Sequence, residues 1–353
     1  MRTRLLSSLW LCSALLLPGC ATRQPQGLDA LRRQIESSPP PRDFVFPPDL
    51  KRKILALDPE RVSGKDVHEV LSQAPAPRII NIHGGYYPVY LAMKSFSGFL
   101  IGMGYPEAAI RNPGDGSYSF SGYSSSLKIA GAVAWYYERD GLRPMLIGHS
   151  LGGMQAVKAL RDLAGDSVKE IAVWNPLTGQ TETREEITDP LTGRQRPVVG
   201  LQVSYACALC AGGLARLLPN EWDVDPDLRK IPDSTVEFTG YYLGMDLLGG
   251  DNLGYGSANW YQATGRATVR NVRLPTACRH GSVPDTRRLL ASREMVDWIN
   301  HYTPANPPAL NVQFKDDSPN ILWAADVWYE IKKHWVLELQ RLIRAKEMDP
   351  NGR

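Results

Sequence analysis

Short apolar blocks alternate along the body of the chain with stretches whose apolar side chains return every third or fourth position. Ile79-Ile80-Asn81-Ile82, entered through Arg78, reads as a short buried strand and stops at His83-Gly84-Gly85. Residues 90–104 follow at helical spacing, residues 108–111 predict a second strand, and residues 124–138 predict a second helix. Met145-Leu146-Ile147 predicts a third strand, which runs directly into Gly148-His149-Ser150-Leu151-Gly152-Gly153 and then a helix over 154–163. Residues 169–174, 235–243 and 268–274 predict further strands, and residues 292–300 a further helix. Ahead of these, Ser63-Gly64-Lys65-Asp66 carries a capping-box pattern that opens a short helix to about Gln73, and Ala74-Pro75-Ala76-Pro77 ends it. Strands alternating with helices in this way predict an α/β fold, a mostly parallel central sheet with helices on both faces.

One interval breaks the alternation. About sixty residues separate the strand ending near Trp174 from the strand starting near Thr235, too long for a structureless loop. A folded lid or cap insertion is expected over about 176–234, with an apolar segment at 206–218 interrupted by Gly212-Gly213. After a Pro-rich break at 303–308, Ile321, Ala325, Trp328, Ile331, Trp335, Leu339 and Leu342 recur at helical spacing. They predict one long carboxyl-terminal helix, about 319–347, docked on the body by its aromatic stripe. Its terminal lysines and arginines suit a helix carboxyl end and need no ligand.

Composition adds scale and compartment. A chain of 353 residues with 43% hydrophobic and 22% charged content supports one large globular domain, and no internal repeat is visible. Met1 to Arg4 are basic and residues 5–17 are apolar, a run too short to span a bilayer comfortably, so the segment reads as an export signal. It ends in Leu17-Pro18-Gly19-Cys20, which resembles the lipobox of bacterial lipoproteins. The resemblance implies a signal peptide over 1–19, a lipidated Cys20 as the first mature residue and, with Ala21 following, anchorage in the outer membrane of the cell envelope. Pro39-Pro40-Pro41 and Pro47-Pro48 give residues 20–48 the composition of a tether, leaving 49–353 as the body. The formal charge of +3 includes Arg2 and Arg4, which leave with the signal, and the near-neutral remainder has no basic cluster. Nucleic acid is therefore not expected as a partner.

The chemistry centres on Ser150. A serine between an apolar strand and a helix, with Gly148 and Gly152 where side chains would collide, requires a sharp turn that lifts its hydroxyl to the carboxyl end of the sheet. Gly148-His149-Ser150-Leu151-Gly152 resembles the nucleophile elbow of the α/β-hydrolase superfamily, specifically its lipases and esterases, over an order of elements spanning 78–300. The resemblance implies a chain order of nucleophile, acid, histidine. Of six histidines only His280, His301 and His334 follow Ser150, and only His280 falls on a loop after a strand; it is the expected general base. The acid should follow the strand at 235–243, where Asp246 fits the strand end and Asp251 lies one loop further on as the alternative. The Leu151 amide and that of Gly85 or Tyr86, in a His83-Gly84-Gly85-Tyr86 segment like the superfamily's His-Gly oxyanion loop, are the expected oxyanion donors.

Cys207, Cys210 and Cys278 remain once Cys12 leaves and Cys20 is acylated, so at most one pair can form. With His280 they also have the ligand types of a Cys₃His zinc site, a reading that would leave the elbow unexplained. No metal or cofactor is expected. The resemblance implies a hydrolase of carboxylic esters acting through an acyl-enzyme, and the apolar insertion suggests a greasy small-molecule or lipid ester. An acyltransferase or peptidase with the same triad, and a non-catalytic binding lipoprotein, are the alternatives.

Overall fold

A computed structural model describes residues 27–37, 39–211, 225–249, 259–309 and 318–348 of the chain. Its centre is a six-stranded parallel sheet: β1 (Ile79–His83), β2 (Phe120–Ser121), β3 (Met145–His149), β4 (Val203–Leu209), β5 (Thr235–Tyr242) and β6 (Thr268–Arg273), in the order β2-β1-β3-β4-β5-β6. The order reverses at β1, where one connection steps outward to β2 and the next returns to β3. Loops at the carboxyl ends of β1 and β3 therefore diverge and leave a crevice, the usual ligand position in an open parallel sheet.

Alternation along the strands divides the core in two. Ile80, Ile82, Leu146, Ala206, Ala208 and Phe238 face α2 (Ser126–Asp140) and α3 (Leu151–Ala164). Ile79, Met145, Ile147, Tyr205, Leu209 and Tyr241 face α1 (Tyr87–Gly102) and α5 (Ile321–Met348), beside which lies α4 (Arg293–His301). Strands so covered on both faces are buried on both, as β3 and β4 are throughout, and are largely apolar.

The strand expected at 108–111 is instead a single 3₁₀ turn, Glu107–Ala109, and the edge strand is the two-residue Phe120–Ser121. The Arg78 guanidinium draws the carbonyls of Ala108 and Arg111 to itself, which removes them from any ladder. The strand expected at 169–174 is also absent: only Trp174–Asn175 is extended, pairing antiparallel with Gln180–Thr181. Lys169 and Glu170 are exposed and could not occupy the sheet interior, whereas every residue of Val203–Leu209 is buried there. The insertion over 176–234 thus divides. Residues to Pro197 form two small hairpins, the second Glu186–Thr188 with Gln195–Pro197, held to α2 through Glu138. Residues 203–209 are β4, and 212–224 lie outside the described residues.

The tether expected over 20–48 is docked from Leu28 onward: Leu28 is buried, helix Leu28–Ser37 anchors through Arg32 to the Pro113 carbonyl, and Arg42 donates to the Glu138 carbonyl at 2.7 Å. The carboxyl-terminal helix docks as expected, but is buried almost all round because Pro48–Ala56 and the turn Pro59–Arg61 also pack against it. Trp323, Trp328 and Trp335 are wholly enclosed. Its polar groups find partners there: Asp326 accepts from Tyr241 at 2.6 Å and from Arg270 at 2.8 Å, and Lys332 donates to the Val62 carbonyl at 2.6 Å. No described helix is long and apolar enough to cross a membrane.

Candidate active site

Ser150 follows the last residue of β3 and precedes the first of α3, with φ 56° and ψ −125°. This is a region that only glycine enters without strain. The turn is possible because a Cβ at Gly148 would fall on the Gly152 backbone, and one at Gly152 on the Ile82 backbone, so a side chain at either place would force the strand and helix apart.

His280 comes from the loop after β6, and its Nε2 lies 2.9 Å from Ser150 Oγ. Asp246 comes from the loop after β5, and its Oδ2 lies 2.8 Å from His280 Nδ1. Both Asp246 and His280 are buried. Burial works to raise the Asp246 carboxyl, but the His280 hydrogen bond and charge, the Gly249 amide and the Cys210 thiol outweigh it and hold the group below its ordinary value. Asp246 is therefore an ionised acceptor, and Nδ1–H of His280 donates to it. The Nε2 lone pair is left facing Ser150, whose hydroxyl donates. Asp251, the alternative acid, lies outside the described residues, as does Cys20.

Leu151 is the first residue of a helix of 14 residues, so its N–H has no intrahelical acceptor and the helix dipole adds positive potential beside Ser150. Across the crevice, Gly84 backs onto the serine: a Cβ there would stand 2.9 Å from Ser150 Cβ. Gly85 and Tyr86 follow in the turn into α1, and the Tyr123 hydroxyl donates to the Gly85 carbonyl at 3.0 Å. His83 leaves β1 with Nδ1 2.9 Å from Ser119 Oγ, and burial holds it below its ordinary value, favouring the neutral ring.

Four contributors were not assigned from the sequence. His149 is wholly buried, its Nε2 2.8 Å from the His280 carbonyl, and burial, with the nearby His280, pushes it down to about 3, so it is neutral and Nε2–H donates. Gly84, Tyr123 and Cys210 are the others; His149 stood within the elbow motif, Gly84 within a Gly-Gly pair and Cys210 among the candidate thiols, but none pointed to this role. Cys207, Cys210 and Cys278 are free, buried thiols. Of these only Cys210 joins Asp246 and His280 in a group whose ligand-type atoms all lie within 4.8 Å of one another, and Glu237, Glu330 and His334 form a second such group. The Cys₃His set read from the sequence is thus not gathered into one group.

Searches against protein-family models and curated proteins find no match to this sequence. The geometry offers a hydroxyl aligned with an imidazole and an anion orienting that imidazole.

Proposed function

We propose that the chain is a serine hydrolase of carboxylic esters with an α/β-hydrolase fold. The observation that carries the reading is the continuous Asp246–His280–Ser150 hydrogen-bonded chain, with the serine on a strained strand-to-helix turn. As Ser150 Oγ bonds to the acyl carbon, its proton passes to His280 Nε2 and the carbonyl electron pair moves onto oxygen. The Leu151 amide and that of Gly85 or Tyr86 stabilise this oxyanion. Collapse expels the alcohol, which takes the proton from Nε2. Water then repeats the sequence on the acyl-enzyme and releases the acid. Asp246 stays ionised throughout and supports the imidazolium.

An apolar acyl or alcohol group is the favoured substrate. Its support is not the 206–218 segment, of which 206–209 is core strand, but the exposed Tyr86, Tyr87, Met245, Leu247 and Leu248 at the oxyanion turn and on the loop of Asp246, with exposed Tyr123 on the loop after β2. The Leu17-Pro18-Gly19-Cys20 signal supports lipid anchoring at Cys20 in the outer membrane.

The test is hydrolysis of p-nitrophenyl esters of increasing acyl length by the chain lacking residues 1–20, beside Ser150→Ala and His280→Ala. Activity lost in both variants supports the reading. Absence of both turnover and fluorophosphonate labelling of Ser150 overturns it, and labelling without ester turnover transfers the site to acyl transfer or peptide cleavage.

A further inference from the structure

Three residues other than glycine have a positive φ among the described residues: Ser150 at 56°, Cys210 at 48° and Met245 at 63°. They stand at the carboxyl ends of three adjacent strands, β3, β4 and β5. A left-handed backbone strains an L-residue in a way that glycine avoids. At Ser150 the strain presents the nucleophile, and at Met245 it turns the chain into Asp246. At Cys210 a glycine would serve the backbone better, so the side chain needs its own explanation.

That side chain is wholly enclosed, and the backbone beneath it is pinned by the Cys210 amide donating to the Tyr241 carbonyl at 2.8 Å. Its Sγ lies within 4.8 Å of both the Asp246 carboxylate and the His280 ring nitrogen. A Cβ on Gly249 would stand 3.4 Å from Cys210 Cβ and would fall on the Asp246 carboxylate, so Gly249 and Cys210 close on that carboxylate together. We infer that Cys210 is a positioning residue for Asp246: its S–H donates to the carboxylate and fixes the rotamer in which Oδ2 meets His280 Nδ1. Burial and the Asp246 charge push the thiol well above its ordinary range, so it remains a donor at every pH at which the triad works. The thiol is a weak donor, and its value is directional: a carboxylate offers about four acceptor positions, and a fixed second donor leaves one orientation for the imidazole.

The inference rests on the hydrolase reading for its effect on turnover, and has a readout that does not. Cys210→Gly relieves the strain and removes the donor, Cys210→Ala removes the donor alone, and Cys210→Ser restores one. In the full chain, kcat on a p-nitrophenyl ester falls about 10- to 100-fold in C210G and C210A with KM nearly unchanged. C210S regains most of the loss, and C210G melts no lower than wild type. The downfield proton resonance of the His280–Asp246 hydrogen bond shifts or broadens in C210G and C210A and returns in C210S. Wild-type kcat and an unmoved resonance in C210G overturn the inference. Should C210G melt below the assay temperature, equal behaviour of C210A and C210S does the same. A wild-type chain inactive on esters counts against the hydrolase reading alone, because the resonance still reports whether Cys210 holds Asp246.

Discussion

His149 Nε2–H donates to the main-chain carbonyl of His280 across 2.8 Å, and the two rings lie 5.1 Å apart. The dipeptide His149-Ser150 therefore grips His280 twice, by its carbonyl through the imidazole of one residue and by its ring through the hydroxyl of the next. The opposite nitrogen of His149, Nδ1, is buried without a partner, so the ring is kept there for the one bond it makes.

Replacement of His149 should separate these roles. His149→Leu leaves the His280 carbonyl unpaired in an enclosed site, which lowers stability by about 1–3 kcal/mol and, by loosening the base, lowers kcat about tenfold or more with little change in KM. His149→Gln, with an amide donor in nearly the same place, retains most of both. Kinetics and denaturant melts on the two variants check this. Equal kcat in Leu and Gln would remove His149 from the site's machinery.

Asp246→Asn tests the acid. The amide cannot support an imidazolium and favours the wrong tautomer, so kcat should fall about 10³- to 10⁴-fold, while KM on a p-nitrophenyl ester changes little because Asp246 does not touch substrate. A loss below tenfold would shift the acid to another group, Asp251 first.

The elbow makes a prediction opposite in sign. Because Ser150 sits at φ 56° and ψ −125°, Ser150→Gly should be more stable than Ser150→Ala by about 1 kcal/mol, although both are inactive. Urea midpoints of the two variants measure it. Equal stability would mean that the turn is not strained.

Legibility followed the range of the interactions. Ser150 could be read because its strand, glycines and helix are contiguous, and His280 because only one later histidine follows a strand on a loop. Asp246 and Asp251 both follow the strand at 235–243 in the sequence, which alone does not choose between them; the fold brings Asp246 to His280. Residues 203–209 read as lid because a continuous apolar run fits a buried strand and a cap equally, and periodicity cannot decide between them. Ile171 and Val173 alternate like a strand yet bury into the layer of α2 and α3, outside the sheet. The proline tracts suggested a tether, but the contacts that dock 28–48 involve Pro113, Glu138 and Lys346, all far along the chain. Cys210 and Tyr123 had no local signal for these roles, since their partners Asp246 and Gly85 are brought to them only by the sheet.

Beneath the sheet, α5 buries a titratable group, Glu330, whose burial makes stability depend on pH. Glu330 is 4% exposed; its Oε1 accepts from Arg270 at 2.9 Å, while Oε2 has no hydrogen-bond partner. Glu237, Asp326, Lys333 and His334 face it as well, and Lys333 also pairs with Glu60 at 2.8 Å. Burial first, then the Glu237 charge, push Glu330 up to about 8, against the pull of Lys333 and Arg270. The folded chain thus keeps a proton that the unfolded chain releases in the ordinary glutamate range. The stability tied to this proton is fully present below that range and is lost as pH rises toward 8. Glu330→Gln, uncharged at every pH, should match wild type near pH 5 and exceed it at pH 8 by on the order of 1 kcal/mol. Thermal melts of both proteins at the two pH values provide the check. A variant that loses ground to wild type as pH rises would show that Glu330 is ionised in the fold and held by Arg270 and Lys333.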